Sequence, residues 1–220
     1  MLKRRELSAA AGLALAAALS VGSATAGSSD PEGLPPDAPR SGTVITIDVS
    51  RNMAYLFRDG ELVRKSRAAT GMDRVLVHGD SVWLFRTPRG RWKVVGKVRN
   101  PVWRKPDWAF IEEGRRVPPA NAPERLVRGK LGRYALTLGD GIMIHGTDDP
   151  KSIGRRVSHG CIRLPDGMMA LLYREAKVGT EVYIFDSRTD PNPRWRAELD
   201  AALGVTSPSS GPARDRGDRE

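Results

Sequence analysis

The sequence has very little cysteine: Cys161 is the one cysteine among 220 residues. A single cysteine excludes an intramolecular disulfide, so no disulfide framework holds this chain together. Histidine is also scarce, with three residues. The spacing of cysteine and histidine resembles neither a paired C-x-x-C zinc site nor an H-E-x-x-H helix. The use of one unpaired thiol is therefore the first question that the sequence raises.

Long apolar runs are absent beyond the N-terminus. There, a basic stretch at 3–5 precedes an apolar run at 9–21, and Ala-Thr-Ala at 24–26 fits the small-residue rule for signal-peptidase cleavage. We therefore expect residues 1–26 to be a signal peptide and the protein to be exported, to the periplasm or cell wall. No later segment approaches the roughly 20 apolar residues of a membrane-spanning helix. We expect no stable membrane span once the signal is removed.

Acidic residues are too few to balance the basic ones, and the net charge is +10. Residues 1–26 carry three bases and one acid, and residues 187–220 carry six of each, so +8 lies within residues 27–186. For an exported protein, the anionic neighbours that we expect are cell-wall polymers and membrane surfaces, not nucleic acid. We favour a solvated basic surface over a dedicated polyanion site.

Composition divides the chain into four parts. Residues 27–42 are dense in Ser, Pro, Asp and Gly, which predicts a flexible linker without a core. The folded domain is expected at 43–186. Residues 187–220 are polar, and their last part is rich in Ser, Pro, Gly, Arg and Asp, so the sequence predicts a disordered tail.

Within the domain the pattern is mostly β. Apolar alternation predicts an opening meander whose second hairpin turns at Asp59-Gly60. One principal helix is predicted from Pro165 to a glycine cap at Gly179. For most of the four tryptophans between 83 and 108 we favour packing over a substrate groove. The predicted strands are Thr43 to Val49, Met53 to Phe57, Glu61 to Arg67, Arg74 to Val77, Ser81 to Phe85, Trp92 to Val98, Tyr134 to Leu138, Gly141 to His145 and Thr180 to Phe185.

Cys161 lies in a polar turn, Ser158-His159-Gly160-Cys161, where a buried inert cysteine would be expected inside an apolar run. His145 ends a strand-like run sixteen positions upstream. Four uses of the thiol are open: an inert buried residue, a dimer disulfide, a metal ligand with the histidines, or a nucleophile. The polar turn and the nearby histidines favour the nucleophile, with the metal site ranked below it and the disulfide last.

Nucleophilic chemistry needs both a thiol and a base. A free thiol titrates near about 8.5, so little thiolate exists at neutral pH, and we expect the imidazole of His145 to take the proton. Attack on an amide carbonyl builds negative charge on oxygen. Gly160 has no Cβ, and we expect the turn to present backbone amides near Cys161 to that oxygen.

These residues carry a family resemblance. His145-Gly146-Thr147, followed after a fixed gap by S-H-G-C-I-R-L at 158–164, resembles the active-site motif of the L,D-transpeptidase (YkuD-type) catalytic domain. Supporting segments are G-K-V-R-N-P-V-W at 96–103 and V-G-T-E-V-Y-I at 178–184. The stretch from Arg74 to Lys93 departs from the family pattern. The resemblance implies a β-sandwich of mixed sheets with one principal helix after the cysteine.

The resemblance also implies roles for individual residues. It makes Cys161 the nucleophile, His145 the general base, and the backbone carbonyl of Gly146 the group that orients the imidazole. It makes His159 a supporting or oxyanion-side partner and Ser158 a hydrogen-bonding support.

Two further positions of the motif have support roles. Gly160 shapes the turn, and Arg163 is either a buttress of the site, a contact to a substrate carboxylate, or a structural ion-pair partner. No metal and no organic cofactor is implied.

The implied activity is acyl transfer in peptidoglycan. Such an enzyme cleaves the bond between a diamino acid and D-Ala in a tetrapeptide stem and holds the stem as a thioester on Cys161. An amine then takes the acyl group, and this amine belongs to another stem, to a protein or to a D-amino acid. Two alternatives remain: water as the acceptor, which makes an L,D-carboxypeptidase, and a non-catalytic cell-wall-binding module.

Overall fold

A computed structural model of the chain describes residues 32–35 and 38–188. Within them the fold is built mostly from strands, with two α-helices and two 3-10 turns. The helices are α1 (Asp107–Glu112) and α2 (Asp166–Glu175), and the 3-10 turns are Pro123–Arg125 and Pro150–Ser152. The strands are β1 (Thr43–Asp48), β2 (Met53–Arg58), β3 (Glu61–Arg67), β4 (Thr70–Gly71), β5 (Arg74–His78), β6 (Ser81–Phe85), β7 (Gly90–Lys93), β8 (Gly96–Arg99), β9 (Val102–Arg104), β10 (Leu126–Arg128), β11 (Tyr134–Gly139), β12 (Ile142–His145), β13 (Arg156–Ser158), β14 (Ile162–Arg163) and β15 (Glu181–Phe185).

Two mixed sheets form the sandwich. One has the order β3-β2-β1-β15-β7, and the other has the order β14-β12-β11-β8. In the first sheet β1 and β15 run parallel, and in the second β12 and β14 do; the remaining pairs are antiparallel. Buried aliphatic side chains from both sheets and from α2 form one cluster between them. The prediction of a mostly β sandwich of mixed sheets with a principal helix after the cysteine is confirmed.

The alternation in β1 divides its side chains between two faces. Ile45 and Ile47 enter the cluster between the sheets, whereas Val44 packs on the opposite face. The opening meander is confirmed, because β1 pairs with β2 and β2 pairs with β3, both antiparallel. Asp59 and Gly60 both have positive φ, 51° and 81°, as the predicted two-residue hairpin turn requires.

The segment predicted as a linker is not free of the domain. Leu34 and Ala38 are buried, and they pack with Tyr55 and Phe57 on the outer face of the first sheet. The prediction that this segment buries nothing is wrong for these two residues. The average composition of a segment does not reveal the role of a single leucine. The aromatic face of the first sheet would otherwise be open to water, so burying one apolar side chain on it is stabilising. The predicted signal peptide, 1–26, and most of the predicted tail, from 189 onward, lie outside the described residues.

The predicted strand from Trp92 to Val98 is two strands in two different sheets. β7 pairs with β15, and β8 pairs with β11. Between them Val94 is buried, and its amide donates to the carbonyl of Thr180 while its carbonyl accepts from the amide of Gly179. The apolar alternation continues across the point where the chain passes from one sheet to the other, so it did not show that two strands are present. Gly96 begins the second strand, where a Cβ would lie 2.7 Å from the Thr137 hydroxyl.

Helix α2 begins directly after Pro165, as predicted, and buries Met168, Met169 and Leu172 against the sheets. Its end is earlier than predicted. The last helical residue is Glu175, and Gly179, with φ of 92°, lies in the following turn and does not cap the helix. Neither helix in the described part of the chain has the length and apolarity needed to cross a membrane.

Replacing Leu34 by Ala tests the packing of the 32–38 segment. We expect the free energy of unfolding to fall by about 2 kcal/mol, because a buried leucine loses its apolar contacts. The measurement is equilibrium denaturation in urea. Leu62→Ala is the matched control, since Leu62 is 39% exposed on β3 and its replacement should change the stability by less than about 0.5 kcal/mol. Equal effects of the two changes would contradict the packing of this segment.

Candidate active site

A cleft of about 570 Å³ opens on the side of the sandwich where the second sheet meets the segment around α1. All of the predicted site residues except Gly146 and Gly160 line it. The lining residues are Val102, Trp103, Arg104, Trp108, Ala109, Glu112, Glu113, Lys130, Leu131, Gly141, Met143, His145, Ser158, His159, Cys161 and Arg163.

The parallel pairing of β12 with β14 brings the thiol and the imidazole to one face. Ile144 lies opposite Ile162, and both are fully buried in the core between the sheets. Because successive side chains of a strand point to opposite faces, the residues on either side of these isoleucines face the cleft. On β12 these residues are Met143 and His145. On the neighbouring strand they are Cys161, which directly precedes β14, and Arg163.

The His145 ring is buried and oriented by its own neighbour. Its Nδ1 lies 2.5 Å from the carbonyl oxygen of Gly146, and a carbonyl only accepts, so Nδ1 carries the proton. The other ring nitrogen, Nε2, is then the unprotonated one. Burial lowers the pKa of His145 to about 4, although the bond to Gly146 opposes this shift. At neutral pH the residue is a neutral base.

The Cys161 side chain is half-buried and faces β12. Its thiol donates to the carbonyl oxygen of Gly141, with 3.5 Å between sulfur and oxygen. Burial raises the pKa of the Cys161 thiol, while the backbone amide of Met143 and the charge of Arg163 oppose the rise. Together with the low pKa of His145, this makes the resting pair a thiol and a neutral imidazole. The expected transfer of the thiol proton to His145 stays a prediction for the reacting enzyme.

The Ser158 hydroxyl holds the turn that carries the thiol. Its Oγ donates to the carbonyl of Cys161 at 2.5 Å and accepts from the amide of Gly160 at 3.2 Å. Gly160 has φ of 131°, which favours glycine, and a Cβ there would lie 3.2 Å from the Arg86 carbonyl. The Gly160 amide is therefore already hydrogen-bonded within the turn. The expectation that amides near Cys161 meet a substrate oxygen stays a prediction.

Thr87 fastens the turn to the rest of the domain, a role that sequence reasoning missed. It is buried, and its hydroxyl donates to the carbonyl of Gly160 and accepts from the amide of Gly71, both at 2.8 Å. Gly71 packs against it so closely that a Cβ would lie 2.4 Å from the Thr87 amide nitrogen. The Thr87-Pro88 dipeptide was the visible signal, but nothing local links it to a turn 73 residues away.

His159 makes contacts that sequence reasoning did not predict. Its Nε2 lies 2.7 Å from a carboxylate oxygen of Glu112, and its ring stacks on Trp108 at 3.8 Å between centroids. Phe85 meets the same ring edge-on at 4.4 Å. Burial lowers the pKa of His159, while Glu112 opposes the shift. Trp103 and Trp108 line the cleft, so these two of the four tryptophans do not have the packing role that we predicted for most of them.

Helix α1, which brings Trp108 and Glu112 to the cleft, was not predicted. It has six residues, too few for a helical repeat of apolar positions to show. Pro106 before it and Asp107 in its first turn were the available signals. Phe110 is fully buried beneath the cations of Lys105, Arg115 and Arg125, and Arg125 also bonds Asp107 at 2.6 Å. These contacts fix the helix against the cleft.

Arg163 faces the cleft with its charge unbalanced. Among the described residues no carboxylate lies within ion-pair distance of its guanidinium, so the structural ion-pair interpretation has no support here. Its charge lowers the pKa values of both His145 and His159, which places it near both rings. Across residues 32–35 and 38–188, no three side chains of the metal-binding types cluster.

Comparison with known proteins decides the family. The family model for the L,D-transpeptidase catalytic domain (YkuD) matches residues 42–184. The chain belongs to the L,D-transpeptidase catalytic-domain family. It is 31% identical over 163 residues to the probable L,D-transpeptidase ErfK/SrfK of Salmonella typhimurium, which covers 67% of this chain and 51% of that protein.

A second curated relative agrees with this L,D-transpeptidase assignment, and a solved structure shares the fold. A putative L,D-transpeptidase of Fuscovulum blasticum is 37% identical over 107 residues, 44% of this chain and 50% of its own length. The chain thus spans about half the length of these curated relatives. The crystal structure of the L,D-transpeptidase (residues 123-326) from Xylanimonas cellulosilytica shares the fold, with a TM-score of 0.51 and 21% identity over 69% of this chain and 63% of that one.

Replacing Thr87 by Val tests the support of the catalytic turn in this L,D-transpeptidase domain. Valine has a similar shape but leaves the Gly71 amide and the Gly160 carbonyl without partners. We expect unfolding free energy to fall by about 1–3 kcal/mol, measured by urea denaturation. Thr43→Val, at the start of β1, is the control and should be nearly neutral. A neutral Thr87→Val would show that the turn does not depend on this hydroxyl.

The neutral resting pair predicts how Cys161 reacts with iodoacetamide. The pKa of His145 is lowered to about 4 and that of Cys161 is raised, so no thiolate is stabilised at neutral pH. We expect the alkylation rate, followed by mass spectrometry, to rise with pH. The midpoint of this rise should lie above the pKa of an ordinary cysteine, which is about 8.5. A rate independent of pH between about 5 and 8 would instead show a thiolate paired with an imidazolium.

Proposed function

We propose that this protein is an exported cysteine acyltransferase of peptidoglycan, an L,D-transpeptidase, with Cys161 as nucleophile and His145 as general base. The observation that carries the proposal is the cleft face of β12 and β14, where a thiol and a neutral imidazole line the same cleft. Family membership supports the chemistry. The stem peptide's carbonyl between its diamino acid and the terminal D-Ala is the proposed point of attack.

Acylation begins from the neutral pair. As sulfur bonds to the carbonyl carbon, the thiol proton passes to Nε2 of His145, the nitrogen that the Gly146 carbonyl leaves unprotonated. The imidazolium then gives this proton to the departing D-Ala nitrogen, and the carbon–nitrogen bond breaks. A thioester on Cys161 and a neutral His145 remain. The incoming amine reverses these steps: it forms the new amide bond, loses a proton to His145, and sulfur leaves to be reprotonated.

A neutral orienting group suits this sequence of steps. A carboxylate behind the imidazole would stabilise its protonated form, whereas the Gly146 carbonyl orients the ring with no formal charge. His145 consequently holds the proton only while negative charge develops on the substrate. The proton is then available for the leaving amine, which is a poor leaving group unless it is protonated.

The developing oxyanion needs a donor other than Gly160. The Gly160 amide is bonded to the Ser158 hydroxyl, so we assign the role to the amide of Cys161, the residue that forms the acyl bond. Ser158 supports this arrangement indirectly, because it holds the Cys161 carbonyl and thereby the orientation of the peptide units in the turn.

Arg163 is proposed to bind a carboxylate of the stem peptide. Its guanidinium faces the cleft beside His145, and its lack of a described carboxylate partner leaves the charge for a ligand. The D-Ala terminus of a stem carries such a group. The basic charge of the domain favours approach of anionic wall polymers in the same way.

A purified preparation of the chain gives the direct test. Incubated with tetrapeptide stems under reducing conditions, wild-type protein should gain the mass of the stem minus D-Ala, and fragmentation should locate that mass on Cys161. His145→Gln should slow formation of this adduct by at least about 100-fold, since general-base catalysis contributes that much. Cys161→Ser should form no thioester.

The products separate the two acceptor classes. A new amide with an added amine shows transpeptidation, and release of the tripeptide alone shows that water is the acceptor. Absence of any adduct on wild-type protein would contradict the proposed function. Binding to isolated cell wall that is unaffected by Cys161→Ala, without any acylation, would favour a wall-binding module.

A further inference from the structure

Helix α1 presents a carboxylate to the cleft whose charge no cation neutralises. Glu112 and Glu113 are adjacent, and both line the cleft. The Glu113 carboxylate is bonded by Lys105 and Arg115. Among the described residues no lysine or arginine lies within ion-pair distance of Glu112, and its bond is to the imidazole of His159 at 2.7 Å. The two neighbouring acids therefore differ in whether their charge is already balanced.

The His159 ring does not cancel the charge of Glu112. Burial lowers the pKa of His159, so at neutral pH the ring is uncharged and donates its Nε2 proton to the carboxylate as a neutral group. Glu112 then keeps its negative charge. Its side chain is 32% exposed, which leaves part of the carboxylate accessible from the cleft.

Aromatic rings line the cleft around the His159 ring that bonds this carboxylate. The Trp108 ring stacks on His159 at 3.8 Å, and the Trp103 ring lies 6.1 Å from the Trp108 ring with 47° between their planes. Both indoles line the cleft. A carboxylate beside indole faces is the combination that binds an ammonium group, through charge-assisted hydrogen bonds and cation–π attraction. An anionic ligand would be repelled at the same place.

This acidic spot stands out from a basic domain. Residues 27–186 carry a net +8, and the cleft itself contains Arg104, Lys130 and Arg163. A carboxylate group of the substrate can therefore bind to any of several cations in the cleft. An ammonium group can bind to Glu112. The cleft is polarised, with Glu112 and the His159 ring at its negative part, and His159 lies two residues along the chain from the nucleophile.

We propose that Glu112, together with the indole rings of Trp103 and Trp108, forms the subsite that binds the ammonium group of the amine acceptor. This assignment rests on the proposed acyl transfer. It makes Glu112 a specificity-determining residue, which favours aminolysis of the thioester over hydrolysis. The bound ammonium loses one proton to solvent before it attacks, and His145 receives a second proton as the amide bond forms and passes it to the departing sulfur.

The amine acceptor carries the positive charge that complements the Glu112 carboxylate. A primary alkyl amine has a pKa near about 10.4 and reaches the enzyme as a cation. A site that concentrates this cation beside the thioester offsets the large excess of water that competes for the same carbonyl. Water gains nothing from the negative charge of Glu112, so the subsite acts on one acceptor class alone.

The test compares three acceptors on an acyl-enzyme already formed on Cys161. The acceptors are Nα-acetyl-lysine amide, which is cationic at pH 7, hydroxylamine, which is neutral there, and water. In Glu112→Gln we expect the aminolysis rate with the lysine derivative to fall by about tenfold or more. The hydroxylamine and hydrolysis rates should stay within about twofold of wild type. Those two rates also show that the variant is folded and active.

The control variant is Glu124→Gln, which removes the same charge from an exposed position in the Pro123–Arg125 turn, outside the cleft. It should leave all three rates unchanged. Equal losses with lysine derivative and hydroxylamine in Glu112→Gln would overturn the proposal, since they would mark a structural role. So would slower acylation by the stem peptide alone, which would place the donor's own ammonium at Glu112.

A binding measurement separates this proposal from the activity. Cys161→Ser protein is titrated with Nα-acetyl-lysine amide and with the uncharged Nα-acetyl-norleucine amide, followed by NMR. Tighter binding of the lysine derivative, lost in the additional Glu112→Gln variant, supports the subsite even if wild-type protein forms no acyl adduct. Equal binding of the two ligands overturns it, whatever the outcome of the acylation experiment.

Discussion

The parallel hydrogen bonding of β12 with β14 is the constraint on which the candidate site depends. It matches Ile144 with Ile162, and both side chains are sealed in the core between the sheets. A shift of this register by one residue would expose an isoleucine and bury the thiol or the imidazole, which the hydrophobic core strongly disfavours. The same apolar contacts that stabilise the sandwich therefore keep Cys161 and His145 on one face.

Around this face the protein balances burial against reactivity. Burial keeps both His145 and Cys161 uncharged at rest, and the Gly146 carbonyl selects the ring nitrogen that can accept a proton without stabilising its charge. Ser158 and Thr87 hold the turn by hydroxyl bonds, so its backbone is set before any substrate binds. Pre-organisation of this kind lowers the barrier because the groups need not reorder as charge develops.

Much of the fold was predictable because its signals are local. Alternation predicted most strands, and Asp59-Gly60 predicted its hairpin, since two adjacent residues alone set that turn. The motif from Ser158 to Arg163 and His145 could be paired because the spacing is typical of one family. The features that the sequence did not predict depend on tertiary contacts. The crossing at Val94, the burial of Leu34, and the support of Gly160 by Thr87 join residues that nothing in the local sequence connects.

Helix α1 shows the same limit at the site. Glu112 and Trp108 meet His159 across 47 and 51 positions of chain, and six residues are too few to give a helical pattern. The resting protonation states were also beyond sequence reasoning. They follow from how deeply the imidazole and the thiol are buried, and the extent of burial cannot be read from the sequence.

The central claim is that the thiol and the imidazole are both neutral at rest, with the His145 proton on Nδ1. Nitrogen NMR of labelled protein, titrated from about pH 3 to 9, reports it directly. We expect the ring signals of His145 to show a neutral Nδ1-protonated imidazole at neutral pH and to titrate near about 4. An imidazolium that persists to pH 7, or a ring protonated on Nε2, would contradict the account.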